Sequence, residues 1–114
     1  MQWVYSGIAN AAGTAVITIN DTPSGMQRIV AQWSNETSVF RVGSTCTVRR
    51  DGRFVTGSSL GSGDTAFGPP AIVLESVTVL TFTFGGLTAG DEAIATLFGV
   101  ESQWQSAPDP NIVV

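Results

Sequence analysis

The sequence predicts an all-β domain, an antiparallel β-sandwich or jelly roll of about eight strands. Stretches dense in β-branched and aromatic residues alternate with period two, as in Thr14-Ala15-Val16-Ile17-Thr18-Ile19-Asn20 and Val77-Thr78-Val79-Leu80-Thr81-Phe82-Thr83-Phe84. Gly, Pro, Asn, Asp and Ser punctuate the chain between such stretches. The crossover helices that a parallel sheet needs are missing from the pattern.

The elements follow in order. Residues 2–8 and 14–20 are the first strand candidates. Asn20-Asp21-Thr22-Pro23-Ser24-Gly25 has a turn former at nearly every position. Residues 27–34 and 38–42 come next, followed by a hairpin from Thr45 to Gly57 whose Asp51-Gly52 pair suits a two-residue turn. Residues 57–70, rich in glycine and closed by Pro69-Pro70, read as a long loop of the kind that often carries binding. Strands resume at 71–75 and 77–84, where Thr78, Leu80, Phe82 and Phe84 share the face expected to meet the core. Asp91 to Phe98 has the acids and apolar pairs of a short helix, but flanking glycines and its length favour a strand over 92–103. These elements define a domain over 1–103, with Trp3, Trp33, Phe40, Phe82, Phe84 and Phe98 as bulky core candidates. Trp104 to Val114, interrupted by Pro108-Asp109-Pro110, reads as an extended C-terminal tail.

Composition narrows the chemistry. With 114 residues, 43% hydrophobic and 12% charged, the chain fits one folded domain, and a net charge of −4 leaves it mildly acidic. No run approaches the roughly 18 apolar residues of a membrane span. There is no histidine and no lysine, so the commonest general base, the commonest metal ligand, Schiff-base chemistry and a phosphate-gripping P-loop are all missing. We expect no enzyme activity, no cofactor and no bound metal. The acidic balance disfavours nucleic acid as a partner. The lone Cys46 allows no disulfide within the chain and reads as a buried strand residue. The first residues, Met1-Gln2-Trp3-Val4-Tyr5, carry no secretory pattern, so the expectation is a protein made in a cytoplasm.

Weak motifs have simpler readings. Gly61-Ser62-Gly63-Asp64 lacks the Lys and helix of a phosphate loop and reads as a connector. Asn20-Asp21-Thr22 and Asn35-Glu36-Thr37 match a glycosylation acceptor at about the frequency chance supplies. Asp91 and Glu92, with Glu75 or Glu101, are the candidate carboxylates for glycoside chemistry, yet adjacent strand residues point to opposite faces. A calcium site from Asp51, Asp64 or Asp91 has no acidic loop pattern behind it. The arginines are the most concentrated charge: Arg49, Arg50 and Arg53 bracket one hairpin tip, leaving Arg28 and Arg41 elsewhere. Guanidinium forks of this kind suit carboxylates on a partner protein or guard a strand edge against mispairing.

Pro70 to Gly99, with its Thr-rich strand Val77 to Phe84, the turn Gly90-Asp91 and the Gly99-ended strand, resembles the second half of small β-sandwich structural proteins of tailed bacteriophage virions. Head-decoration (cement) and small tail or adaptor proteins share this look. The resemblance implies a non-enzymatic virion subunit, most simply a capsid decoration protein. It would be made in the host cytoplasm, contact the major capsid protein or other virion subunits, and assemble as a homo-oligomer, with a trimer favoured. No functional residue transfers with the resemblance; the arginine hairpin, the 57–70 loop and the tail supply the candidate protein contacts Arg49, Arg50, Arg53, Phe67, Trp104, Ile112, Val113 and Val114. The competing reading is a carbohydrate- or receptor-binding module of a phage tail or fibre, with Trp3, Tyr5, Trp33 or Trp104 stacking on sugar rings.

Overall fold

The computed structural model describes residues 1–59, 65–68 and 71–103, with backbone alone at 58–59 and 65–68. Among these residues the chain forms nine strands and no helix. One sheet contains β1 (Gln2–Ile8), β9 (Glu92–Gln103) and β3 (Met26–Thr37), with β6 (Thr65–Gly68) and β7 (Ile72–Leu74) along the outer edge of β3. The other runs β2 (Ala15–Ile19), β8 (Leu80–Gly85), β4 (Thr45–Arg50), β5 (Arg53–Ser59). All pairings are antiparallel.

Because β6 pairs with Trp33 to Glu36 and β7 with Arg28 to Val30, the two act as one interrupted edge strand. Prolines 69 and 70, which have no N–H for a ladder, fall at the interruption. Counted that way, four strands face four in the alternating order of a jelly roll, and the predicted sandwich is the observed one.

The core sits between the sheets. On β8 the alternation places Leu80, Phe82 and Phe84 fully inside, as predicted, and Thr78 just before the strand is also buried. Ile17 and Ile19 on β2, Cys46 and Val48 on β4, Trp33 on β3 and Leu97 on β9 complete the inner layers. Ala15, Ala93 and Ala95 supply the small side chains that let large ones interdigitate.

One bulge sets the register of the central pair. In β3 the inward residues are Arg28 and Val30 before it and Trp33, Asn35 and Thr37 after it, because Ala31 adds one residue. Opposite lies Gly99, where a Cβ would sit 1.9 Å from the Ile29 carbonyl oxygen, so only glycine fits.

Three expectations are corrected. Residues 38–42 form no strand, since Ser38 N–H donates to the Glu92 carbonyl at 2.9 Å and the chain then crosses between sheets. Phe40, expected in the core, is 44% exposed on that crossing. The loop at 57–70 is shorter than expected, because β5 continues to Ser59 and β6 recovers edge hydrogen bonds at Thr65–Gly68. The strand reading of Asp91 to Phe98 holds from Glu92 onward, where pairing to both β1 and β3 outweighs the local helical spacing.

Candidate interaction surface

The β4–β5 hairpin brings the predicted arginines together. Asp51 (φ 51°) and Gly52 (φ 80°) both adopt the left-handed region that a type I′ turn needs. Arg50 faces Arg53 across the tip, and Arg49 faces Phe54 after a bulge. All three guanidiniums are exposed, and none is taken up by an ion pair among the described residues. The tip is held in place, since Asp51 N–H donates to the Val79 carbonyl at 2.8 Å and Asp51 Oδ1 accepts from Val79 N–H at 2.9 Å. Phe54, 66% exposed beside Arg49, belongs to the same surface and was missed in the sequence. Its signal was its place in a short edge strand next to an arginine, a pairing frequent at protein interfaces.

The other two arginines are paired with carboxylates of the same chain. Arg28 is 6% exposed and reaches Glu101 through Nε at 2.9 Å, with Asp21 at 3.0 Å and the Tyr5 hydroxyl at 3.1 Å both on Nη1. Its guanidinium carbon lies 4.7 Å from the centre of the Trp3 ring. Tyr5 donates in turn to the Asp21 carboxylate. Burial, joined by Asp21, pushes the Tyr5 hydroxyl up to about 12. Burial opposes the Arg28 charge, but the Glu101 bond and the neighbouring Tyr5 and Asp21 outweigh it and raise its pKa. The cluster thus satisfies itself and fastens β1, β3, β9 and the 20–25 turn together.

At the opposite end of the sandwich Arg41 grips Asp91 with two parallel bonds, Nε to Oδ2 at 2.8 Å and Nη2 to Oδ1 at 3.0 Å. Thr88 N–H adds a third bond to that carboxylate. Arg41, with Thr88 behind it, holds the Asp91 carboxyl down at about 2. On either side of the half-exposed Arg41, Val39, Phe40 and Val42 are exposed, Val42 at 88%.

Other predicted residues divide clearly. Trp33 is fully buried, which removes it as a sugar platform, while Trp3 is half-buried beneath Arg28. Asn35 is buried and unsuited to glycosylation. Asp91 is held by Arg41 and Glu101 by Arg28 at opposite ends of the sandwich, so these two candidate carboxylates do not form a pair. Burial pushes the Cys46 thiol up to about 12, which leaves an inert core group. Among the described residues no set of three His, Cys, Asp or Glu could hold a metal, and no helix is long and apolar enough to cross a membrane. The Phe67 backbone pairs with Ser34, but its side chain, with Trp104, Ile112, Val113, Val114 and Asp64, lies outside the described residues. Comparison with protein-family models, with curated proteins and with solved structures finds no match.

Proposed function

We propose that the chain is a non-enzymatic structural subunit acting through protein contacts, and that its setting is a tailed-phage virion, where it decorates the capsid. One contrast carries this reading. The two inward arginines are satisfied by carboxylates, whereas Arg49, Arg50 and Arg53 stand on a rigid tip with no partner among the described residues. An arginine cluster beside an exposed phenylalanine has the composition of an interface anchor. A jelly roll is a recurrent capsid scaffold and supports the setting by analogy of fold alone. The partners are the major capsid protein or other virion subunits, with the 104–114 tail adding a contact to a neighbouring subunit and a trimer as the favoured assembly.

Pelleting with purified capsid shells tests the proposal. Saturable binding is expected, weakened by Arg49→Glu, Arg50→Glu and Arg53→Glu together and by removal of 104–114. A chain that stays in the supernatant with every virion shell and subunit tried overturns it. A glycan-binding role is the second reading, favoured by Trp3 and Tyr5 both lying half-buried on β1, two residues apart on one face, around Arg28. Sugar binding lost in Trp3→Ala is the outcome that would favour it.

A further inference from the structure

We infer that the outward face of the β1–β9–β3 sheet is the seat of this chain's own 104–114 segment, which folds back over it. The inference stands apart from the virion reading and rests on how the two outward faces of the sandwich differ. Across β2, β8 and β4 the outward positions hold Thr18, Thr81, Thr83, Thr45 and Thr47, with Val16 and Arg49 among them. Polar groups outside and apolar groups inside are what a solvated antiparallel sheet shows. Across β1, β9 and β3 the outward positions are mostly apolar: Val4, Ile8, Ile94, Phe98, Val100 and Ile29. Val4 is 57% exposed and Val100 59%, and the half-buried Phe98, expected in the core, also points outward. Ile29 lies between Val100 and Val73 on its two neighbouring strands, so the stripe is three strands wide where β9 nears its end.

A contiguous apolar stripe on a sheet face marks a contact surface. The 104–114 segment, outside the described residues, matches it in origin, reach and composition. It follows Gln103, the end of β9, only three residues beyond Val100. A reversal takes about four of its residues, and the remainder extends about 23 Å, which reaches back along β9 as far as Thr96 and its partner Val4. Trp104, Ile112, Val113 and Val114 bring apolar surface, and Asp109 is the segment's one charged side chain. Pro108 and Pro110 have no N–H to give to a strand edge, but a segment lying across a face is held by side chains and needs none. Tethering selects the occupant, because a segment joined by a short linker is present at about millimolar effective concentration, above that of a second copy in dilute solution. The neighbour contact proposed for 104–114 is then the same seat filled by exchange between copies.

Paramagnetic relaxation measured on the full chain in dilute solution tests this. Cys46 is buried, so a nitroxide attaches only at the thiol of an Asn111→Cys variant. The expected result is loss of the amide signals of Val4, Phe98 and Val100, with far weaker effects at Thr18, Thr81 and Thr83. Adding Ile112→Asp and Val113→Asp should restore the lost signals, and neither change touches the sandwich core. Loss on the threonine face, loss nowhere, or loss that persists in the aspartate variant overturns the inference. A mixture separates the chain's own segment from a neighbour's. Isotope-enriched copies without nitroxide, mixed with unenriched copies that carry it, should keep all their signals. Loss at Val4, Phe98 and Val100 in that mixture would seat a second copy's segment on the face and overturn the fold-back within one chain.

Discussion

Strand β8 and the loop at 38–44 are both rich in large apolar residues, yet β8 buries Leu80, Phe82 and Phe84 while the loop leaves Val39, Phe40 and Val42 in solvent. The strand is paired on both sides, by β2 and β4, so its alternation alone decides which side chains turn inward. At the loop a set of polar contacts holds the chain instead: Ser38 with Glu92, the Thr37 hydroxyl with the Val39 carbonyl, and Arg41 with Asp91. Arg41 grips Asp91 with two bonds, and the apolar residues on either side of it stay exposed. The lesson is that apolar side chains in this domain are buried by ladder position and displayed by anchored loops. Exposed apolar groups held rigidly in that way present a contact surface with little ordering entropy left to lose on binding.

The largest expected effect breaks the comparison directly. Phe82→Ala should cost about 3–5 kcal/mol in denaturant unfolding, whereas Phe40→Ala should cost no more than about 1 kcal/mol. Equal losses would mean that Phe40 is a core residue after all. A second contrast separates the inner from the outer arginines. Arg28→Ala strands the Glu101 carboxylate and should destabilise by about 2–3 kcal/mol, while Arg50→Ala should stay within about 0.5 kcal/mol. Gly99→Ala comes next, at about 1–3 kcal/mol, because its methyl meets the Ile29 carbonyl rather than a movable side chain. A well-tolerated alanine there would place the bulge elsewhere.

Acid and alkali sharpen the same account at smaller scale. The Asp91 carboxyl sits at about 2, below its ordinary 3.8, so the stability it contributes is complete above the ordinary value and fades as pH falls toward 2. Acid unfolding followed by circular dichroism should therefore be shallower in Asp91→Asn across that window. At the other extreme Cys46 and Tyr5 are raised to about 12 from 9.0 and 10.0. Their contribution is complete below those ordinary values and is lost as pH rises toward 12. Cys46→Val should retain more of its stability between pH 9 and 12 than the natural chain does.

The fold was largely legible because period-two alternation reports burial, and Thr78, Leu80, Phe82 and Phe84 obey it without interruption. The Asp51-Gly52 turn was legible because few residue pairs tolerate two positive φ angles in succession. Phe40 was misread for a physical reason. It lies on a crossing tied to residues about fifty positions away, Ser38 to Glu92 and Arg41 to Asp91, which local pattern does not encode. The Arg28 cluster was hidden in the same way, since Tyr5, Asp21 and Glu101 meet only after β1, β3 and β9 have paired. Of the candidate contacts, Arg49, Arg50 and Arg53 could be read from one hairpin, while Phe54 needed the bulge that sets it opposite Arg49.

The proposed role places the partner at the hairpin end of the sandwich, where Arg49, Arg50, Arg53 and Phe54 are exposed. Backbone hydrogen exchange, compared between the chain alone at low concentration and the chain assembled on capsid shells, tests it most directly. Slowed exchange is expected at the 49–54 tip, with the outward faces of β2 and β8 unchanged. Slowing confined to those faces, or none anywhere, would contradict it.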